Sequence, residues 1–483
     1  MMDHEQEPEH NGNPARSINA KLASCWILIT TFSFTLGQQY DLTIPLLILY
    51  PIGLLELSSL RSTKTAFYAG FVVGTIGFGL QLRFFWAIFG PAAVFLWMVL
   101  GFWIGLFVLL SRQFRVHFGE KISLAGIPII WLGLEYIRCE LYPLKFSWLT
   151  LGSRFIEQGP AWFAPFGNYG IGAGLCLIAA WIIQRERRWR VVHAGLSIAL
   201  LATLFTTKPS SATGRLNTES ACRMGGIQLE FPIEAEILDE LTRFKGSNPE
   251  IELIVLSEYS LQSPPSKALK KWCRDNQQYL IIGGKDPIEG KEYFNTAFVI
   301  SPAGEIVFKQ GKSEPIQFFS DGRPAPSQNV WHSPWGRIGI AVCYDLSFTR
   351  VIDKLIRQGA EALIIPTMDV TDWGRREHEL HARIAPVRAR EYQVPIFRIA
   401  SSGISQSVDH QGSIRQSALY PGQGECLSDT VIFSQKGRLP WDRSFAPAAS
   451  GLTFLYACWL LFCQTLGRRS PKTVQLSSRN PEP

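Results

Sequence analysis

Three residues in the second half of the chain carry the side chains that an acyl-transfer site needs. Glu258 and Cys343 each follow a short run of apolar residues, and Lys312 follows a predicted hairpin. A carboxylate can take the thiol proton, the thiolate can attack an ester or amide carbonyl, and an ammonium can hold the charge on the tetrahedral oxygen. A cation about 4 Å from the sulfur favours the thiolate by roughly 4 kcal/mol at an effective dielectric of about 20. The pattern therefore predicts a Cys343 nucleophile, with Glu258 as its base and Lys312 as the oxyanion stabiliser.

The elements around these residues predict an α/β domain over residues 222–438. Runs with β-propensity alternate with amphipathic stretches, which is typical of helices packed on sheet faces. Polar residues at strand ends assemble sites in such domains, so we expect Glu258, Lys312 and Cys343 to converge. Strands are predicted at 251–256, 280–283, 296–300, 305–308, 337–342, 362–366 and 395–400, and helices at 267–276, 349–358 and 377–391.

The remainder of the chain predicts a membrane protein. Of its 483 residues, 47% are hydrophobic and 18% are charged, whereas soluble proteins average roughly 25% charged residues. This composition excludes a disordered chain, and the net charge of +7 lies mostly in short loops rather than in a patch that would bind nucleic acid. Apolar stretches at 22–37, 43–57, 65–80, 91–110, 123–137, 162–183, 191–204 and 445–466 predict about seven transmembrane helices within residues 20–206 and a further one at 445–466.

The distribution of basic residues predicts the topology. If the N-terminus is cytoplasmic, the inside segments carry fifteen Lys and Arg residues, whereas the outside loops between apolar stretches carry only Arg83, Arg138, Lys145 and Arg154. Positive charge is enriched on the cytoplasmic side of membrane proteins. We therefore expect a polar N-terminal tail at 1–19, a cytoplasmic tail at 467–483, a linker at 207–221 and an external domain at 222–438.

The order of several motifs resembles the nitrilase superfamily, and within it the apolipoprotein N-acyltransferases of bacterial inner membranes. The resemblance covers nearly the whole chain. Its motifs are Trp131-Leu-Gly-Leu-Glu135-Tyr-Ile-Arg138, Phe146-Ser-Trp148, Leu256-Ser-Glu258, Lys312-Ser-Glu-Pro315, Ile340-Ala-Val-Cys343-Tyr344-Asp345 and Arg388-Ala-Arg-Glu391. The resemblance implies a multi-pass α-helical membrane bundle and an α/β nitrilase-like domain, an extracytoplasmic αββα sandwich with a Glu-Lys-Cys triad.

The same resemblance implies substrates and a location. It implies a phospholipid acyl donor, a thioester on Cys343 and ping-pong transfer to the N-terminal amine of a diacylglyceryl-cysteine lipoprotein. Such a reaction requires no metal and no other cofactor. We expect a monomer surrounded by lipids in the bacterial inner membrane, with the catalytic domain on the periplasmic side.

Two segments depart from the family pattern. The usual Phe-Gly-Glu sequence is replaced by Phe318-Phe319-Ser320-Asp321, in which Ser320 occupies the glutamate position. Asp321 can substitute if the loop shifts, or it can belong to a simple Ser-Asp-Gly turn. Met368 stands where the family has asparagine. Two alternatives therefore stay open, namely a membrane-anchored carbon-nitrogen hydrolase of the amidase or nitrilase kind and a catalytically impaired lipid- or lipoprotein-binding homologue.

Six further residues are expected to bind substrate or to support the triad. Phe318 and Trp373 are interpreted either as core residues or as apolar lips that dip into the outer leaflet. The position of Tyr344 and Asp345 directly after Cys343 favours a nucleophile over a buried structural cysteine. The full set is Trp148, Phe318, Asp321, Tyr344, Asp345 and Trp373.

Histidines and the other cysteines are weaker candidates. His378 and His381 lie three residues apart on a predicted helix, where a solvated helix face is favoured over a shared metal. The nine cysteines show no zinc-like spacing,. A disulfide among Cys222, Cys273 and Cys426 stays open if the domain faces an oxidising compartment.

Overall fold

The computed structural model describes residues 18–184, 187–206, 220–422, 424–433 and 436–467. The two predicted tails and the predicted linker lie almost entirely outside these residues. Within them, the first part of the chain is helical, an α/β domain follows, and one long helix comes last. This architecture agrees with the predicted fold class.

The helical half forms a bundle in which every predicted apolar stretch is helical. Gly119 has a φ of 74° and interrupts the longest helix, a conformation that glycine adopts without steric cost. The interruption separates the apolar stretches at 91–110 and 123–137. The helices are α1 (Ala20–Gln39), α2 (Leu49–Leu57), α3 (Thr63–Gln81), α4 (Phe85–Phe89), α5 (Ala92–Tyr136), α6 (Ser153–Gln158), α7 (Gly167–Ile183) and α8 (Arg187–Thr206), with short helical segments at Asp41–Ile48, Ile137–Leu141 and Ala161–Phe166.

Several of these helices have the length and composition of membrane spans. Among the described residues, four segments meet both requirements, and Trp189–Thr203 is a shorter apolar helix. A span of about 20 apolar residues matches the thickness of a bilayer core, so the chain is a membrane protein. The eight crossings stay a prediction. The four segments are Ala20–Gln39, Ala92–Leu141, Ala161–Ile183 and Asp442–Cys463.

The α/β domain contains two six-stranded sheets with the orders β12-β1-β2-β3-β4-β5 and β11-β10-β9-β8-β7-β6. Parallel strands form the middle of each sheet, and antiparallel strands flank them. The elements are β1 (Ser220–Ile227), α9 (Glu234–Ser247), β2 (Leu253–Leu256), α10 (Lys267–Asp275), β3 (Tyr279–Pro287), β4 (Tyr293–Ile300), β5 (Ile306–Gly311), β6 (Val330–Ser333), β7 (Gly336–Ile340), α11 (Thr349–Arg357), β8 (Ala362–Pro366), α12 (Arg375–Ala382), α13 (Ile384–Tyr392), β9 (Ile396–Ile399), β10 (Gln406–Val408), β11 (Ile414–Ser417), β12 (Cys426–Phe433) and the last helix, α14 (Asp442–Gly467).

The two sheets pack face to face between layers of helices. Successive side chains of a strand point to opposite faces. Accordingly, Ile254 of β2 packs in the cluster formed with α9 and α10, whereas its neighbour Leu253 lies in the cluster formed with the second sheet. The sheets approach so closely at Gly226 that an added Cβ would lie 2.0 Å from Cδ1 of Ile399. The domain is therefore an αββα sandwich.

The prediction of a single helix at 377–391 is wrong. Two helices, α12 and α13, meet at Arg383 instead. Pro386 has no N–H to donate to the carbonyl of Ala382, and its ring clashes with that carbonyl in a continuous helix. Gln406 Nε2 donates to the Ala382 oxygen at 2.6 Å instead. α12 carries His378 and His381, which lie near the site described below.

The segment that follows α5 connects the bundle to the α/β domain. Trp148 Nε1 donates to Ser347 Oγ at 2.9 Å. The buried carboxylate of Glu140 accepts from the backbone N–H of Thr349 at 3.0 Å and from its hydroxyl at 2.9 Å. Ser347 and Thr349 lie within six residues of Cys343, so the bundle supports the turn that carries the predicted nucleophile.

Candidate active site

The predicted triad residues come together where strands of both sheets end. Glu258 follows β2, Lys312 follows β5 and Cys343 follows β7. Lys312 Nζ lies 2.9 Å from Glu258 Oε1, and both side chains are almost fully buried. Glu258 and Cys343 are close enough for a side-chain hydrogen bond to affect the pKa of both groups. A carboxylate, an ammonium and a thiol therefore share one enclosed site.

Cys343 occupies a strained turn that is held in place by Asp345. The φ of Cys343 is 54°, a region that L residues other than glycine seldom adopt,. The Asp345 carboxylate accepts from the backbone N–H groups of Val342 at 3.3 Å, Ser313 at 3.1 Å and Glu314 at 2.8 Å. One buried side chain therefore connects the lysine loop to the cysteine turn. Burial raises the pKa of Asp345 to about 7.

Asp321 supplies a second carboxylate to Lys312. Its Oδ2 lies 2.7 Å from Lys312 Nζ and accepts from the backbone N–H of Ile316 at 2.8 Å. Its Oδ1 accepts from Tyr259 OH at 2.8 Å and from Asn295 Nδ2 at 2.9 Å. Asp321 is thus a buried partner of the lysine and not part of a solvated turn.

The charges around Lys312 are distributed unevenly between the two carboxylates. Burial raises the pKa of Glu258, and the negative charge of Asp321 adds to that rise. Burial also acts on Asp321, but the attraction of Lys312 outweighs it and lowers the pKa of Asp321. Burial disfavours the ammonium of Lys312, but the acidic groups around it, Glu258 first among them, together outweigh burial and raise its pKa well above the usual value. Asp321 therefore balances the lysine charge, while Glu258 is the carboxylate that can exchange a proton.

Burial raises the pKa of the Cys343 thiol well above its usual value, and the charge of Glu258 acts in the same direction. Lys312 opposes both effects. The resting cysteine is therefore a thiol. Thiolate formation needs a base, and the Glu258 carboxylate lies within hydrogen-bonding reach of the thiol,.

Met368 contributes to the site through its backbone. Its N–H donates to Glu258 Oε2 at 2.8 Å, and its carbonyl lies 3.8 Å from Cys343 Sγ. The exchange of asparagine for methionine leaves these two backbone contacts available.

An apolar cavity leads from Cys343 toward the bundle. It encloses about 840 Å³ of non-protein space, part of it open to solvent. Phe318 is 69% exposed at this cavity, and Phe89 of α4 lies 6.0 Å from the rings of both Phe318 and Phe319. The lining includes Phe85, Phe89, Leu96, Leu100, Phe146, Trp148, Phe318, Phe319, Cys343, Tyr344, Trp373 and His381. Four of the six expected supporting residues line this cavity, namely Trp148, Phe318, Tyr344 and Trp373. The other two do not line it: Asp321 contacts Lys312, and Asp345 binds the cysteine turn.

The expectation of a solvated helix face for His378 and His381 is wrong. Both side chains are buried. His378 contacts Tyr420 OH at 2.6 Å and the Val370 carbonyl at 2.9 Å, and His381 stacks on Trp148 with ring centroids 4.9 Å apart. α12 is rich in charged residues, so its sequence resembles that of an exposed helix. Arg376 and Glu377 are nevertheless buried together with the two histidines.

One cluster of potential metal ligands occurs among the described residues. Asp369, Glu377 and His381 place one ligand atom each within 4.8 Å of one another. Asp369 Oδ2 is already 2.6 Å from Arg398 Nη2, and its Oδ1 is 2.7 Å from His381 Nδ1. A cation would compete with that guanidinium for the same carboxylate, so the cluster fits a hydrogen-bonded network better than a metal. The cysteines present no such group, and all nine are free thiols.

Sequence reasoning missed Asn295 and Tyr259, which surround the two carboxylates. Asn295 Nδ2 donates to Glu258 Oε1 as well as to Asp321. Asn295 lies in β4, one residue before the predicted strand at 296–300, and its sequence context is that of an ordinary strand end. Tyr259 directly follows Glu258. Its backbone has a positive φ of 55°, which its residue type does not indicate. Neither residue belongs to a motif of its own.

Comparisons with known proteins agree with this division of the chain. The apolipoprotein N-acyltransferase N-terminal domain matches residues 28–181, and the carbon-nitrogen hydrolase family matches residues 245–445. An apolipoprotein N-acyltransferase of Pasteurella multocida is 23% identical over 481 residues, which covers 86% of this chain and 91% of the relative. One of Geobacter metallireducens is 24% identical over 341 residues, which covers 60% of this chain and 65% of the relative's length.

Solved structures are similar to part of the chain. A nitrilase-superfamily protein of Saccharomyces cerevisiae is 20% identical, covers 46% of this chain and 93% of its own, and has a TM-score of 0.38. A carbon-nitrogen hydrolase of Helicobacter pylori is 17% identical, covers 48% of this chain and 93% of its own, and has a TM-score of 0.39.

The two family matches cover the bundle and the sandwich separately, in the order in which they occur here. The chain belongs to the apolipoprotein N-acyltransferase family of the nitrilase superfamily.

Proposed function

We propose that this protein transfers a fatty acyl chain from a phospholipid to the N-terminal amine of diacylglyceryl-cysteine lipoproteins. The observation that carries the proposal is the cavity that Cys343 shares with α4 and α5 of the bundle. Binding pockets match the polarity and size of what they bind, and a wall of Phe and Leu side chains suits an acyl chain. Hydrolysis of a small amide needs no such wall.

The first half-reaction moves the acyl chain to the enzyme. Glu258 removes the thiol proton, and the sulfur of Cys343 attacks the donor ester carbonyl. Lys312 stabilises the oxyanion. The C–O bond then breaks, Glu258 returns its proton to the departing lysophospholipid oxygen, and a thioester remains on Cys343.

The second half-reaction releases the acyl chain to the acceptor. The amine nitrogen attacks the thioester carbonyl, the C–S bond breaks, and Glu258 passes a proton from nitrogen to the sulfur. The apolar cavity wall excludes water from the thioester, which favours the amine over hydrolysis. Both lipid substrates reach the site laterally through the membrane.

The two departures from the family pattern do not favour an impaired homologue. Asp321 occupies the position beside Lys312 that a second carboxylate needs. Met368 makes its site contacts with backbone atoms. We therefore propose that Asp321 replaces the family's glutamate and that the triad is active.

Genetic complementation tests the proposed function. In a strain depleted of its own apolipoprotein N-acyltransferase, the chain should restore growth and a third acyl group on lipoproteins, measured by mass spectrometry. Cys343→Ser, present at the same level in the membrane, should restore neither. If the wild-type chain reaches the membrane, leaves lipoproteins unmodified and hydrolyses small amides in vitro, the hydrolase alternative replaces this proposal.

A further inference from the structure

Transfer to a primary amine requires the removal of two protons from the acceptor nitrogen. An α-amino group has a pKa of about 8, so the acceptor arrives mostly as an ammonium at neutral pH. One proton must leave before the nitrogen attacks and another must leave afterwards. Glu258 can hold only one proton at a time, and the departing sulfur of Cys343 needs it. If the proposed function is correct, a second proton acceptor at the site would let the abundant ammonium form react instead of only the small fraction of free amine.

His381 has the structure of such an acceptor. Its Nδ1 lies 2.7 Å from Asp369 Oδ1. An ionised carboxylate can only accept hydrogen bonds, so Nδ1 carries the hydrogen and Nε2 holds a lone pair. Nε2 is buried and has no hydrogen-bond partner among the described residues. His381 lines the same cavity as Cys343.

The groups packed around His381 keep its imidazole neutral and oriented. Burial lowers the pKa of His381, and the attraction of Asp369 only partly opposes that effect. Arg398, on β9, holds Asp369 ionised from the other side at 2.6 Å. Glu377 Oε1 lies 3.7 Å from His381 Nδ1. Burial raises the pKa of Glu377 well above its usual value, so this carboxyl adds no negative charge beside the imidazole. Lys312 is the remaining charged group that acts on His381.

Trp148 fixes the plane of the ring. Its indole stacks on His381 at an interplanar angle of 15° and is itself anchored by the hydrogen bond to Ser347. A carboxylate that orients an imidazole whose second nitrogen is open is the arrangement of a general base.

We propose that His381, oriented by Asp369, receives the primary ammonium of the acyl acceptor and removes its first proton. The proton moves from nitrogen to Nε2, and the freed lone pair attacks the thioester carbon. The C–S bond breaks as the N–C bond forms. Glu258 takes the second proton from nitrogen and delivers it to the sulfur of Cys343. His381 then releases its proton to solvent as the product leaves.

A metal ion is the other cation whose ligands these residue types supply. Asp369, Glu377 and His381 all belong to ligand-forming types, but the guanidinium of Arg398 already neutralises Asp369. The ammonium needs only the single open lone pair of Nε2. A metal ion bound by these three residues would therefore contradict the proposal.

His381→Gln in the full-length protein, in lipid nanodiscs, separates the two half-reactions. Acylation by phospholipid, measured as lysophospholipid release and as the mass of the acyl-enzyme, should stay within about twofold of wild type. Transfer from the acyl-enzyme to a diacylglyceryl lipopeptide at pH 7 should slow by about 100-fold, which is typical for loss of a general base. His378→Gln is the matched control because both nitrogens of His378 already have partners, and its transfer rate should match wild type.

The pH profile and a second acceptor exclude a merely structural effect. Transfer by His381→Gln should rise about tenfold per pH unit below the amine pKa, because only free amine reacts. Hydroxylamine is neutral at pH 7 and needs no base, so it should discharge the acyl-enzyme of the variant at the wild-type rate. If both acceptors slow equally, or if the lipopeptide reacts as fast as in wild type, His381 is not the base.

Two further outcomes are decisive without the variant. The wild-type transfer rate should be nearly flat from pH 6.5 to 8, whereas a tenfold rise per unit would contradict an enzyme base. Slower transfer after chelation, together with a metal found by elemental analysis, would assign the cluster to a metal instead. If wild type forms no acyl-enzyme at all, the proposed function itself fails.

Discussion

At the scale of single residues, the site depends on how two carboxylates share one lysine. Burial and the charge of Asp321 raise the pKa of Glu258, whereas Lys312 and the hydrogen-bond donors around Asp321 lower the pKa of that carboxyl. The sequence predicted Glu258, Lys312 and Cys343 as a set because their types and positions after strands are informative. It left Asp321 open, since whether a loop residue points inward depends on the path of the loop and not on residue type.

Asp321→Asn should move the acidic limb of the pH–rate profile for acyl-enzyme formation to lower pH. The reaction needs ionised Glu258, so the rate is lost as the pH falls through the pKa of that group. Removing the charge of Asp321 removes a repulsion that raises this pKa. The plateau rate should fall by at least about 10-fold, because Glu258 paired alone with Lys312 is a weaker base.

The control for this variant is Asp286→Asn. Asp286 forms an exposed pair with Lys309 at 2.9 Å, and such pairs contribute little, so its profile should be unchanged. An acidic limb of Asp321→Asn that stays in place or moves to higher pH would contradict the assignment of charges.

Asn295→Ala should move the same limb in the opposite direction. Asn295 donates hydrogen bonds to Glu258 and Asp321, and donors to a carboxylate favour its charged form. Without them the pKa of Glu258 rises, so the rate should decline at a higher pH than in wild type. A shift to lower pH, measured in the same assay, would show that Asn295 does not act through Glu258.

At the scale of elements, periodicity and composition predicted most strands and helices near the site but not how they meet. The strands before Glu258 and Cys343 were recognised because short apolar runs end in polar residues. The sequence does not decide whether residues 377–391 form one helix or two. Pro386 is compatible with a kink inside one helix and also with the first turn of a new helix. The joint wall that α4 and α5 make with the cysteine turn depends on tertiary packing, which no local pattern records.

Leu96→Trp in α5 should shorten the acyl chain that the enzyme accepts. Leu96 lines the cavity, and a larger side chain occupies space that the end of a long chain would fill. We expect kcat/KM for a phospholipid with 16-carbon chains to fall by about 10-fold or more, since each lost methylene contact costs about 0.8 kcal/mol. A short-chain ester should react nearly as in wild type.

Val94→Trp is the matched control for that variant. Val94 lies on the same helix and is exposed, outside the residues that line the cavity. Its preference for long chains should be unchanged. Equal loss of long- and short-chain activity in Leu96→Trp would indicate general damage and not a binding site for the acyl chain.

At the scale of the whole molecule, hydrogen bonds between distant parts of the chain join the bundle to the sandwich. The Trp148–Ser347 bond connects residues 199 positions apart, and Lys145 Nζ lies 2.5 Å from Glu314 Oε2. The sequence indicated the order of the two parts because charge and apolar runs divide the chain clearly. It gave no sign of these contacts, because single polar residues in loops look alike whether solvated or docked.

The predicted topology places Cys426 outside the membrane and Cys463 at the cytoplasmic end of the predicted span at 445–466. Cys426 lies on β12 of the sandwich and Cys463 near the end of α14. In cells with a permeabilised outer membrane, an impermeant maleimide should label Cys426 but label Cys463 only after the inner membrane is disrupted. Burial raises the pKa of Cys426, so labelling should be faster at pH 8.5 than at pH 7. Single-cysteine variants report each position, and the reverse pattern would invert the topology.

The most direct test of the central claim is the intact mass of the purified protein after incubation with phospholipid alone. We expect one added acyl group, located on Cys343 by peptide mapping, which disappears when an amine acceptor is added and never forms in Cys343→Ala. A wild-type protein that binds phospholipid yet gains no acyl mass, or that carries the acyl group on another residue, would contradict the account.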